Sequence, residues 1–88
     1  PLPVELVAVD GSPVRLTAPD LLSAVPQHVA VDGGEPRPVT GWAGPWPVRQ
    51  RWWTGNPEAS RLQVVVDDGE ALLLLASGGR WWLTGRYD

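Results

Sequence analysis

The sequence predicts an all-β fold, either a small antiparallel sheet or a small barrel built from short hairpins, with room for one short helical turn. Two observations support this fold class. Short apolar runs are separated by turn-forming pairs such as Asp10-Gly11, Gly33-Gly34, Asp68-Gly69 and Gly78-Gly79. In addition, no segment repeats apolar residues at helical spacing over several turns, as a stable amphipathic helix would.

The composition indicates one small domain spanning residues 1–88. The chain is 43% hydrophobic and 19% charged, which is typical of a globular protein, but it has no cysteine, so packing alone must stabilise a modest core. No apolar run approaches the roughly 20 residues of a membrane span, and we expect a cytoplasmic protein with no membrane contact. Because the chain has no methionine, even at position 1, we expect it to be a fragment of a longer protein.

The clearest prediction is a three-stranded meander near the C-terminus. Residues 61–66 and 71–76 flank Asp68-Gly69, and Gly78-Gly79 then returns the chain through residues 80–87. If both loops contain two residues, alternation along the strands defines the two faces of the sheet. The predicted core face carries Leu62, Val64, Val66, Ala71, Leu73, Leu75 and Trp82. The opposite face carries Val65, Leu72, Leu74, Trp81, Leu83 and Tyr87.

Two further hairpins are predicted in the N-terminal half. One joins residues 4–9 to residues 14–17, and the other joins residues 29–31 to residues 39–42. Between them, residues 19–24 could form a single helical turn, with Pro19 at its start and Pro26 ending it.

Catalysis is disfavoured by the side chains present. His28 is the only histidine, cysteine is absent, and no serine lies in a nucleophile-elbow motif. The pair Asp67-Asp68 resembles acid–base machinery, but Gly69 follows it and makes it a turn. We therefore expect no enzymatic activity, no metal site and no cofactor.

The tryptophans indicate binding. In Trp52-Trp53 and Trp81-Trp82, extended backbone sends neighbouring indoles to opposite faces, so one indole of each pair leaves the main core. It either lies beneath a loop or anchors an interface, where Trp and Arg are enriched. Residues 37–61 hold four arginines against one acid, +3 in a chain of net charge −3. The predicted partner-binding residues are Trp46, Arg49, Arg51, Trp52, Trp53 and Trp81.

A resemblance supports the binding interpretation. The segments Gly41-Trp42-Ala43-Gly44-Pro45-Trp46-Pro47-Val48, Trp52-Trp53 and Gly79-Arg80-Trp81-Trp82-Leu83, with the hairpin between them, resemble the C-terminal region of actinobacterial ImuB. The resemblance covers residues 39–88. It implies a non-catalytic accessory protein of mutagenic translesion synthesis, which docks a RecA-like protein, ImuA, and an error-prone C-family polymerase. The clamp-binding motif and the polymerase-like palm of that family would precede this segment.

Two functions therefore remain open from the sequence. The first is a protein-interaction module in a DNA-damage response. The second is a domain that contacts single-stranded nucleic acid, because indoles stack on bases and arginines contact phosphates. The acidic pI of about 4.9 and the absence of lysine argue against the second.

Overall fold

A computed structural model describes residues 1–48 and 59–87, and the described chain forms a closed six-stranded barrel beside a small two-stranded sheet. The predicted all-β class is confirmed. The strands are β1 (Leu2–Val7), β2 (Leu16–Ala18), β3 (Leu21–Leu22), β4 (His28–Val31), β5 (Arg37–Val48), β6 (Ala59–Val66), β7 (Ala71–Ser77) and β8 (Arg80–Tyr87). These residues include no helix that could span a membrane.

The barrel closes because its last strand pairs with its first. The strand order is β1-β4-β5-β6-β7-β8, every pair is antiparallel, and β8 returns to β1 through Leu2↔Leu83, Pro3↔Trp82 and Val4↔Trp81. Closure removes the unpaired sheet edges that would otherwise invite association with other chains.

The expected helical turn at residues 19–24 is wrong. Pro19-Asp20 instead forms the turn of the β2–β3 hairpin, in which Leu16 pairs with Leu22 and Ala18 pairs with Leu21. Proline fits the early position of a β-turn as well as the first turn of a helix. Here the hairpin packs Leu16 and Leu22 against the barrel core, and the Ser60 hydroxyl donates a hydrogen bond of 2.6 Å to the Pro19 carbonyl.

The two predicted N-terminal hairpins have different outcomes. The hairpin of β4 and β5 forms, with His28 opposite Pro38 and Val29 opposite Arg37. The chain after β1 turns back as expected, but it is joined to β1 by an isolated Val7–Pro13 bridge and a 2.7 Å bond from the Val14 amide to the Leu6 carbonyl, and no strand ladder forms. The following residues form β2, which pairs with β3.

The turn between β6 and β7 contains three residues and not two. The Val66 amide donates to the Glu70 carbonyl at 3.0 Å, and the Gly69 amide donates to the Val66 carbonyl at 2.9 Å. Gly69 has a φ of 86°, the left-handed conformation expected at the third position of such a loop. The Gly78-Gly79 turn has the predicted two residues, because Ser77 lies opposite Arg80.

One extra turn residue inverts the predicted faces of β7 and β8, since a one-residue shift exchanges the two sides of a strand. The β6 prediction is correct, with Leu62, Val64 and Val66 buried. On β7 and β8, however, the predicted core residues Ala71, Leu73, Leu75 and Trp82 lie on the outer face. The buried residues of these two strands are Leu72, Leu74, Trp81 and Leu83.

The core fills the barrel interior and extends under the N-terminal turn. Its buried members are Val4, Leu6, Ala8, Val14, Val29, Leu62, Val64, Val66, Leu72, Leu74, Trp81 and Leu83. Each fully buried aliphatic side chain contributes roughly 1.5 to 3 kcal/mol relative to an exposed one.

A charged network braces the β6–β7 turn from outside. Arg37, at the start of β5, approaches Asp68 at 2.8 Å, Glu70 at 3.3 Å and Asp67 at 3.5 Å. Asp68 also accepts a hydrogen bond from the Glu70 amide at 2.8 Å. This amide, together with Arg37, holds the pKa of Asp68 below its ordinary value. Hydrogen bonds from Ser12 lower the pKa of Asp10 in the same way.

These depressed pKa values predict a loss of stability in acid. As the pH falls, the Asp68 carboxylate is protonated at a higher pH in the unfolded chain than in the folded one. Its contribution to folding stability is therefore fully present above pH about 4 and is lost as the pH falls further. We expect urea midpoints to be level between about pH 5 and 7 and to decrease below about pH 4. Asp68→Asn should lower the neutral midpoint and flatten this decrease. An Asp68→Asn profile parallel to the wild-type profile would contradict the assignment.

Candidate partner-binding surface

Five side chains, one from each of five adjacent strands, form a row across the outer face of the barrel. Trp46 lies opposite Arg61, Arg61 opposite Leu75, Leu75 opposite Trp82, and Trp82 opposite Pro3. Directly opposed residues of neighbouring strands share a face and interact. We call these five residues the tryptophan row: Trp46, Arg61, Leu75, Trp82 and Pro3.

Irregular pairing of β5 places Trp46 outward. The β5–β6 register shifts between Ala43 and Trp46, and Gly44 there has a φ of 101°. A Cβ at Gly44 would lie 3.0 Å from both the Arg61 carbonyl oxygen and the Trp46 ring, so a larger residue would displace one of them. With this shift, Pro45 is buried while the Trp46 side chain is 49% exposed. Gly44 therefore sets the direction of the first indole in the row.

The second indole belongs to Trp82, which is half-buried on the outer face. Its Nε1–H donates to the Ser77 carbonyl at 3.2 Å, which holds the ring against the start of the β7–β8 turn. This bond restrains the rotation of the indole on the outer face.

Trp81 is directed the other way. Its side chain is 6% exposed inside the barrel, and its Nε1–H donates to the Val14 carbonyl at 2.9 Å. The sequence correctly predicts that one member of the Trp81-Trp82 pair leaves the core, but the outward member is Trp82. The predicted surface position at Trp81 is therefore a core position in the barrel.

The remaining outer face of β5 to β8 is mostly apolar and built from small residues. One row runs Ala43, Gln63, Leu73 and Gly85, and the next runs Gly41, Val65, Ala71 and Tyr87. Tyr87, 60% exposed, ends this second row. An apolar sheet face beside exposed indoles is typical of a protein-binding surface. The row that ends in Tyr87 is separated from the tryptophan row by the row of Gln63.

The structure describes two of the six predicted partner-binding residues. Trp46 lies in the tryptophan row, Trp81 lies in the core, and Arg49, Arg51, Trp52 and Trp53 lie outside the described residues. Arg61, Leu75 and Trp82 carry no local sequence signal that places them in one row. Arg37, counted in the basic stretch, instead belongs to the carboxylate network at the β6–β7 turn.

In residues 1–48 and 59–87, no three His, Cys, Asp or Glu side chains come together as metal ligands would. Comparison with known proteins gives no match: no family model, curated protein or solved structure is significantly similar to this chain. The interpretation of the surface therefore depends on its own geometry and chemistry.

Proposed function

We propose that this chain is a non-catalytic protein-interaction module that docks its partner on the tryptophan row. The observation that supports this most directly is the placement of Trp46 and Trp82 on one outer face, with Arg61 and Leu75 between them. Trp and Arg are the residues most enriched at interface hot spots, and flanking apolar contacts exclude water around them.

The proposed setting is a DNA-damage translesion synthesis assembly in the cytoplasm. The resemblance of residues 39–88 to ImuB supports this, and it implies two partners, an ImuA-like RecA homologue and an error-prone C-family polymerase. Since Arg61 is the single charged side chain of the row, the partner surface is proposed to be apolar with a carboxylate near its centre.

Single-stranded nucleic acid fits this surface less well. Its binding needs several cations along a phosphate backbone as well as stacking aromatics, and the row supplies one arginine in a chain of net charge −3. The protein partner is therefore the proposal, and nucleic-acid binding is an outcome that the test can detect.

The test measures binding of the 88-residue chain to the purified ImuA-like protein and polymerase by calorimetry. Alanine at Trp82 or Trp46 should weaken binding of one partner by about 2 kcal/mol or more, roughly 30-fold in Kd, because each removes an aromatic anchor. Tyr87→Ala is the matched control, since it removes an exposed aromatic from the same face outside the row.

Three results would overturn the proposal. They are unchanged affinity in both tryptophan variants, an equal loss in Tyr87→Ala, or binding of neither partner by the wild-type chain. Tight binding of an oligothymidylate with a steep salt dependence, lost in the same tryptophan variants, would favour the nucleic-acid function instead.

A further inference from the structure

Three Asp-Gly pairs lie in turns of the chain. They are Asp10-Gly11 after β1, Asp32-Gly33 after β4, and Asp68-Gly69 between β6 and β7. All six residues are exposed, so access of water does not distinguish the pairs. An aspartate that precedes glycine can react with its own main chain, because no Cβ on the glycine keeps the following nitrogen away from the carboxyl group. The hydrogen bonds of each pair therefore determine how readily it reacts.

Two of the three glycine nitrogens are held by hydrogen bonds. The Gly11 and Gly69 amides each donate to the carbonyl three residues earlier, at 3.0 and 2.9 Å. In the third turn the equivalent bond comes from the Gly34 amide, at 2.9 Å, because Asp32 and Gly33 occupy the two central positions. Within residues 1–48 and 59–87, the Gly33 amide donates no hydrogen bond.

The backbone angles explain this difference. Asp32 and Gly33 have φ values of 53° and 73°, as expected for the central residues of a type I′ turn, and the turn bond then falls on the next amide. Asp32 is the only residue other than glycine with a positive φ in the described part of the chain. Gly11 and Gly69, with φ values of 84° and 86°, are instead the residues whose amides close their turns.

The carboxylates differ between the turns in the same way. Asp10 accepts hydrogen bonds from the Ser12 amide at 2.9 Å and from the Ser12 hydroxyl at 2.6 Å, and Asp68 lies 2.8 Å from Arg37. Such contacts favour the ionised carboxylate, whereas the group must carry a proton before one oxygen can leave as water. In the described ranges, the Asp32 carboxylate takes part in no side-chain hydrogen bond or ion pair.

We propose that Asp32 is a site of spontaneous isomerisation to isoaspartate, and that the other two turns protect Asp10 and Asp68. The Gly33 nitrogen attacks the Cγ of the protonated Asp32 side chain, a C–N bond forms, and the hydroxyl leaves with the amide proton as water. The product is a cyclic succinimide. Water then opens the ring. Cleavage of the new Cγ–N bond restores aspartate, whereas cleavage of the original peptide C–N bond leaves isoaspartate, with the main chain passing through Cβ and Cγ.

The modification would alter a turn that connects two parts of the barrel. Isoaspartate adds one methylene to the main chain between the residues that the Gly34 amide bond now joins. The Asp32 amide also donates to the Pro3 carbonyl of β1 at 2.7 Å. Since β4 and β5 pair at two positions, a longer turn should loosen this hairpin and lower the unfolding midpoint of the modified chain.

The test incubates the folded 88-residue chain at pH 7 and 37 °C and measures isoaspartate at each of the three positions by electron-transfer fragmentation of its peptides. Asp32 should react about fivefold faster than Asp10 or Asp68, or more, which is the effect of one hydrogen bond of ordinary net strength. In concentrated urea the three rates should converge, because the turns that separate them are lost.

Two variants control the assignment. Asp32→Gly retains the positive φ without strain and should remove isoaspartate formation from this turn. Ser12→Ala removes a donor from the Asp10 carboxylate and should raise the rate at Asp10 while leaving the rate at Asp32 unchanged. Equal rates at the three positions of the folded chain, or a faster reaction at Asp10 or Asp68, would overturn the proposal. So would isoaspartate that forms at Asp32 in urea but not in the folded chain.

Discussion

Alanine at Trp81 is expected to lower the free energy of unfolding by about 3 to 5 kcal/mol, the usual cost of removing a buried large aromatic side chain. The indole packs inside the barrel, and its Nε1–H satisfies the Val14 carbonyl. Truncation therefore leaves both a cavity and a buried acceptor without its donor. A domain of this size has a total stability of only about 4 to 13 kcal/mol, so the variant should lose a large fraction of its stability.

Trp82→Ala is the matched control, because it makes the same substitution at the next residue. Its indole is half-buried on the outer face, so we expect less than half the stability loss of Trp81→Ala. Urea unfolding followed by far-ultraviolet circular dichroism measures both variants without relying on the altered fluorescence. Equal losses in the two variants would contradict the assignment of Trp81 to the core and Trp82 to the surface.

The fold class was predictable because turn chemistry is local. Gly78-Gly79 adopts positive φ values of 62° and 76°, which two glycines accommodate without strain, and the predicted two-residue turn is found there. The closure of the barrel was not predictable in the same way. It depends on Leu2, Pro3 and Val4 pairing with the far end of the chain, and no local signal specifies that pairing.

The register of β7 could not be predicted for two physical reasons. Asp67-Asp68-Gly69 can form either a two-residue loop or the three-residue loop that is found, since glycine suits the left-handed position in both. The sequence of β7 does not distinguish the two registers, because residues 72–75 are all leucine and either face of the strand could enter a core.

The length of the β6–β7 turn also determines which residues form the candidate site. Adjacent tryptophans establish that the two indoles diverge, but the turn length decides that Trp81 is the inward one. Trp46 depends in addition on the register shift near Gly44, which interrupts the alternation along β5. The tryptophan row can therefore be identified only when the strand pairing of all five residues is known, although the sequence already contains each of its aromatic residues.

The inverted register makes its own prediction, which compares two adjacent leucines of β7. Leu74 is fully buried opposite Leu62 and Leu83, whereas Leu75 is half-buried on the outer face between Arg61 and Trp82. Leu74→Ala should cost about 2 to 5 kcal/mol of unfolding free energy, through lost burial and the cavity left behind. Leu75→Ala should cost less than about 1.5 kcal/mol, since solvent already reaches that side chain.

The comparison is well controlled because both substitutions change leucine to alanine within one strand. Differences in β propensity and in the unfolded chain therefore largely cancel between the two variants. Chemical denaturation of both variants at pH 7 measures the difference. A larger loss for Leu75→Ala than for Leu74→Ala would mean that the β6–β7 loop holds two residues. In that case Trp82 would face the core, and Trp81 would take its place on the outer surface.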